Sequence, residues 1–132
     1  MKQFTVRTKS QFEMIDITNQ VRTALRENNV KSGICYVFVP HTTAAVTINE
    51  NADPSVPLDI IMELDKVIPL HDNYRHLEGN SAAHIKSSLI GSSEAVFIED
   101  GHLILGTWQS LFFCEFDGPR TRKFFVKLIA AT

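Results

Sequence analysis

Three segments of this chain carry side chains able to move protons, bind anions or hold a metal. His41-Thr42-Thr43 follows an apolar run and a proline, so it reads as a strand end, a rigid mount for an imidazole. Its alternative is a turn whose hydroxyls bond the local backbone. His76 and His84 bracket Leu77-Glu78-Gly79-Asn80-Ser81-Ala82-Ala83. On an unbroken helix His76, Asn80 and His84 would share one face. Gly79 argues instead for a loop that folds His76 back over the start of a helix carrying His84. Imidazoles at His76 and His84 with a carboxylate at Glu115 suit a divalent metal, Zn²⁺ or Mg²⁺, set against a plain hydrogen-bonded cluster. The third segment holds Gln109, Glu115, Asp117, Arg120 and Arg122. Guanidinium forks grip phosphate or carboxylate bidentately, so a small phosphorylated molecule is the ligand expected there. A solvated rim of salt bridges is the competing reading.

Asn49-Glu50 with Asp53 offers a further base or ligand, although Asp53 before Pro54 also reads as a helix cap. His71 and His102 lack polar company and read as surface residues. No Gly-rich phosphate loop, Cys-x-x-Cys pair, Gly-x-Ser-x-Gly elbow or His-Glu-x-x-His helix occurs, which removes the common nucleotide, redox, serine-hydrolase and zincin signatures.

The elements that must position these groups follow from periodicity. Lys2–Thr8 alternates as a half-buried strand, and Phe12–Ile17 reads as its hairpin partner after a Lys9-Ser10 turn. Thr18 caps a helix to about Asn28. Ile34–Val39 is a continuous apolar strand that should be covered on both faces, and Ala44–Asn49 is extended. A helix runs from about Pro57 to Val67, with Ile60, Ile61, Leu64, Val67 and Ile68 as its stripe. Asn80 caps a third helix over Ser81–Leu89, ended by Gly91. Ala95–Ile98 and His102–Leu105 flank a turn at Asp100-Gly101. Gly106–Ile129 reads as two long strands forming a hairpin around Asp117-Gly118-Pro119-Arg120. The adjacent pairs Phe112-Phe113 and Phe124-Phe125 point to opposite faces, so the sheet either folds into a sandwich or is covered by a second subunit. Oligomerisation is the favoured expectation.

At 132 residues this is one domain spanning 1–132, with about seven or eight strands and three helices. A chain of this length buries roughly 68% of its unfolded surface and needs no disulfide to fold. The formal charge of −2 argues against nucleic acid or an anionic membrane as partner. Cys35 and Cys114 sit in apolar runs and read as buried thiols, which suits the cytoplasm. Met1–Glu13 has no apolar stretch of signal-peptide length.

Four blocks carry a family resemblance: His41–Glu50, Tyr74–His84, Leu105–Gln109 and Glu115–Arg122. On them the chain resembles the YjbQ-like proteins, whose members bear the label secondary thiamine-phosphate synthase. The resemblance implies an α+β fold, a largely antiparallel mixed sheet with about three helices, assembled as a homotrimer. It implies a polar site near the subunit interface, built from His41, Asn49, Glu50, His76, Asn80, His84, Gln109, Glu115, Asp117 and Arg120. Three functions stay open. A transferase with weak thiamine-phosphate synthase activity would hold phosphate on Arg120, Arg122 and Lys86, move protons through His76 or His84, and orient them with Glu115 and Asp117. A metal-dependent hydrolase of a phosphorylated or acyl substrate would use His41, His76, His84 and Glu50 or Glu115. A non-catalytic binding or assembly protein would use the same cluster to fasten subunits.

Overall fold

Strand and helix positions follow the periodicity closely, but strand partners do not. The computed structural model describes residues 1–132. In chain order the elements are β1 (Lys2–Arg7), β2 (Glu13–Asp16), α1 (Thr18–Asn28), β3 (Gly33–Phe38), β4 (Ala44–Glu50), α2 (Ser55–Val67), α3 (Ser81–Ile90), β5 (Ser93–Glu99), β6 (His102–Leu103), β7 (Gln109–Glu115) and β8 (Thr121–Ala130). They form a five-stranded sheet, β1-β8-β3-β5-β6, and a three-stranded sheet, β2-β7-β4. Every strand pairing is antiparallel, where the resemblance implied a mixed sheet. Parallel neighbours need a crossover that returns to the same sheet. Here both helical connections, α1 and α2-α3, pass from the three-stranded sheet to the five-stranded one.

The two expected terminal hairpins are therefore corrected. β1 pairs with β8, and β2 pairs with β7, so each apparent hairpin is a corner that carries the chain between sheets. The two corners lie side by side. Thr8 N donates to Arg120 O at 2.9 Å and Gly118 N donates to Gln11 O at 3.1 Å. Gly118 is needed there: a Cβ would lie 2.3 Å from Ser10 O and 2.8 Å from Thr8 Oγ1. Only β5–β6 is a true hairpin, and its turn residues Asp100 and Gly101 both have positive φ, as a type I′ turn requires.

Side-chain alternation now fills two layers. Leu111 and Phe113 of β7 meet Val37, Phe124 and Val126 between the sheets, with Val21, Ala24 and Leu25 of α1. Phe112, Cys114 and Phe116 face the other way, into a smaller cluster with Ala83 of α3 and Leu64 of α2. The Phe112-Phe113 pair is thus buried on both faces within one chain, each side chain contributing about 1.5–3 kcal/mol by leaving water. Burial pushes the thiols of Cys35 up to about 11 and Cys114 up to about 12, and both are unpaired.

The outer face of the five-stranded sheet stays open. Tyr36, Phe38, Phe97 and Ile129 are 41%, 46%, 67% and 50% exposed, so the chain itself does not cover β3 on both faces. Two helix details also differ from expectation. Thr18 is the first helical residue rather than a cap; Asp16 Oδ1 accepts its N–H at 2.9 Å, and its Oγ1 accepts from Leu111 N at 2.9 Å. α2 begins at Ser55, where Asp53 Oδ1 accepts the Ser55 N–H at 2.9 Å, and Val67, 67% exposed, leaves the apolar stripe. No helix is long and apolar enough to cross a membrane.

Candidate functional site

The site grows from the two corners. β7 ends at Glu115 and β8 begins at Thr121. Glu115 is 0% exposed, where a rim position was expected. Its Oε1 accepts from Thr8 Oγ1 and from Arg122 Nε, both at 2.8 Å. Its Oε2 accepts from Arg122 Nη2 and from Asp117 N. Burial alone would raise this carboxyl, but the bonds from Arg122, Asp117 N and Thr8 outweigh it and hold the pKa below the usual range. Glu115 is a saturated buried acceptor, which corrects its expected role as metal ligand.

Arg122 is the other half of this arrangement. Its Nη2 also donates to Thr43 Oγ1 at 2.8 Å and to Thr43 O at 3.2 Å. The guanidinium thereby locks the strand end that carries His41. His41 Nε2 accepts from Lys123 N at 3.0 Å, so its proton sits on Nδ1, which becomes a donor. Burial first, then the nearby Arg122 charge, hold this imidazole below its ordinary pKa. His41 is a neutral hydrogen-bond donor, and its Nε2 is spent as base or ligand.

Asp117 ties the corner to α3. Its Oδ2 accepts from Asn80 Nδ2 at 2.9 Å and from Arg120 Nη2 at 3.0 Å, while its carbonyl accepts from Arg120 Nε at 2.9 Å. Asn80 stands at the N-cap position without a side-chain capping bond; its amide reaches Asp117 instead. Asn80 Oδ1 is buried with no partner. Across the gap, the His76 and His84 rings meet edge to face with centroids 5.2 Å apart. His76 Nε2 lies 3.9 Å from Glu78 Oε2.

These groups enclose a cleft of about 760 Å³ with no hydrophobic residue on its walls. His41, His76, Asn80, His84, Asp117, Arg120 and Arg122 all line it. Besides Glu115, which is sealed within its ion pair, three expected members do not. Glu50 pairs with Gln109 and Asn49 with Ser110 at the far end of β4 and β7, whereas the cleft end of that ladder is Ala44 with Glu115. The two ends are six residue steps apart, about 20 Å. Gln109 Oε1 accepts from Gly106 N at 2.8 Å, and Asn49 Oδ1 from Glu50 N at 2.7 Å, so both amides bond the local backbone. Lys86 also turns away: its Nζ lies 3.3 Å from Asp65 Oδ1 and 4.0 Å from the centroid of the Phe12 ring.

The donor set expected for a metal is not assembled. No group of three or more His, Cys, Asp or Glu side chains is placed to hold an ion. Glu115 is committed to Arg122, and His41 Nε2 to a backbone N–H. Sequence reasoning missed Thr8, whose hydroxyl joins Glu115 to the Arg120 backbone, accepting from Arg120 N at 2.9 Å. A threonine at a strand end gives no signal of a bond made across more than a hundred residues.

The sequence was also compared with known families. A family model described as UPF0047 protein YjbQ-like matches residues 2–131. The chain belongs to the YjbQ-like UPF0047 family. A UPF0047 protein of Methanocaldococcus jannaschii is 56% identical over 126 residues, covering 96% of this chain and 91% of that protein. The UPF0047 protein YugU of Bacillus subtilis is 51% identical over 130 residues, covering 98% of both chains. Among solved structures, an uncharacterised YjbQ/UPF0047 protein of Clostridium acetobutylicum superposes with a TM-score of 0.97 at 55% identity, covering 98% of this chain and 100% of that one. A YbjQ-like protein of unknown function from Sulfolobus solfataricus gives 0.95 at 32% identity, covering 98% and 96%. The family and its antiparallel α+β fold are thereby established for this chain, and these names carry no reaction.

Proposed function

We propose that the YjbQ-like cleft binds a small phosphorylated molecule and transfers a group on it, with His76 and His84 moving the proton. The observation that carries this reading is the convergence of Arg120, three imidazoles and Asn80 in one cleft without an apolar wall. Arg120 supplies charge, the His41 Nδ1–H donates to a phosphoryl oxygen, and Asn80 Oδ1 accepts from a ligand hydroxyl. Asp117 keeps Arg120 and Asn80 in place.

The thiamine-phosphate synthase label of the family enters as the finer form of this reading. That reaction joins a pyrimidine diphosphate to a thiazole phosphate and releases pyrophosphate, and it calls for strong cationic neutralisation of the leaving group. Arg120 is paired with Asp117, Arg122 with Glu115, and Lys86 with Asp65. Such a cleft suits a phosphomonoester better than a diphosphate, so turnover of the thiamine precursors should be slow and secondary. The metal-dependent hydrolase is the weaker alternative, since the chain gathers no ligand set.

Assembly belongs to the same proposal. The open face bearing Tyr36, Phe38, Phe97 and Ile129 is the surface through which copies of this chain would pack as a homotrimer. Two unpaired buried thiols are in keeping with a cytoplasmic location.

The test is histidine-detected NMR during titration with inorganic phosphate, alongside an assay with the two thiamine precursors. Phosphate should shift the His76 and His84 ring signals, and Arg120→Ala should abolish the shift. An unchanged spectrum at saturating phosphate refutes the anion site. Full precursor turnover in both His76→Ala and Arg120→Ala refutes the transferase assignment.

A further inference from the structure

α3 continues past the cleft with a feature the anion site does not use. Counting from His84, Ser87 and Ser88 fall at i+3 and i+4, on the same helix face. They line a second cavity of about 360 Å³ together with Ser92 and Thr42. His41 and His84 line both cavities, so the two are lobes of one site with imidazoles at their junction.

The chemistry of the second lobe differs from that of the first. No Lys, Arg, Asp or Glu lines it, and Ala44 is its only hydrophobic residue. Four hydroxyls converge there, and each can donate and accept. Ser88 Oγ already donates to His84 O at 2.9 Å, which leaves its lone pairs to a ligand. Ser87 is only 7% exposed, and its Oγ is buried with no hydrogen-bond partner. A buried hydroxyl without a partner costs about 1–3 kcal/mol, and rotation of the Ser87 side chain toward the lobe would let a ligand hydroxyl relieve it. A second phosphate would find no cation.

We propose that this lobe holds the hydroxyl-bearing body of a sugar- or polyol-phosphate whose phosphate occupies the larger cleft, with Ser87 as the selecting residue. The inference rests on the anion reading above and names the substrate class for it.

Calorimetry on the full chain, with ribose 5-phosphate and inorganic phosphate as probes, tests it. Ribose 5-phosphate should bind at least about ten-fold more tightly than phosphate, the worth of one or two satisfied hydrogen bonds. Ser87→Ala and Ser92→Leu should each bring the ratio of the two affinities toward one. Ser92 is exposed, so its variant tests the lobe even if a change at Ser87 disturbs packing. A wild-type ratio near one, or a ratio unchanged in both variants while phosphate still binds, overturns the second lobe and leaves the anion site standing. Failure of both probes to bind the wild type overturns the anion reading and the lobe with it.

Discussion

Arg122 of the five-stranded sheet closes a buried ion pair on Glu115 of the three-stranded sheet, donating through both Nε and Nη2. The pair fastens the sheets together, and its Arg122 half also lines the cleft. Its third partner, Thr43, holds the His41 segment. One guanidinium therefore couples the stability of the fold to the geometry of the site.

Breaking one half of this pair leaves a buried charge without compensation. Arg122→Met is expected to destabilise the chain by about 3–5 kcal/mol, and the double variant Arg122→Met/Glu115→Leu by clearly less. Urea unfolding of the two single variants and the double measures this. Strict additivity would show that the pair is not coupled.

Acid should unfold the protein through Glu115. Its folded pKa lies below the unfolded value of about 4.3, because the bonds from Arg122, Asp117 N and Thr8 overcome its burial. The stabilisation is full above that unfolded value and is lost as pH falls through the lower, folded one. Glu115→Gln should flatten this limb of melting temperature against pH. An unaltered limb would assign acid lability to other carboxylates.

His41 is expected as the neutral tautomer protonated on Nδ1, titrating below ordinary histidine because of burial and then of Arg122. As pH falls through the unfolded value of about 6.5, the unfolded chain takes up a proton that the folded one refuses, so stability declines. Nitrogen-15 spectra of the ring at neutral pH decide the tautomer. A proton on Nε2 contradicts the bond from Lys123 N.

Gly118→Ala should cost about 1–3 kcal/mol by overpacking, since its methyl would lie 2.3 Å from Ser10 O in the neighbouring corner. Thermal unfolding reads the cost, and the His76 and His84 signals report whether the cleft loosens as well.

Phe97→Glu on the open sheet face should dissociate the proposed trimer without unfolding the chain, because Phe97 is 67% exposed within it. Sedimentation velocity of both proteins is the measurement. A wild-type monomer would remove the trimer.

Much of the local structure could be read in advance. α1 stops where expected, with Asn29 in the left-handed region at φ 50, and β5–β6 turns on Asp100-Gly101. Seven expected site residues meet in one cleft, because loops and strand ends chosen for exposed polar groups lie at the same edge of the sandwich. Gln109 reads with the charges of the last hairpin, Asn49-Glu50 reads as a polar group of its own, and the resemblance joins all three to the site; the β4–β7 register carries them to the opposite end. Glu115 and Asp117 look alike in sequence, yet one is sealed and the other bridges Arg120 to Asn80.

By itself, the sequence determined which stretches are extended, which are helical and where the chain must turn. Alternation, helix period and turn residues are local signals, and the backbone answers them within a few residues. Only the tertiary structure decided which strands are neighbours. The side chains of β7 alternate identically whether its partner is β8 or β2 and β4, so periodicity is silent on that choice. The free energy that selects between them comes from residues far apart in the chain: Phe113 packing with Phe124 between the sheets, and Glu115 finding Arg122 and Thr8 where the two corners meet.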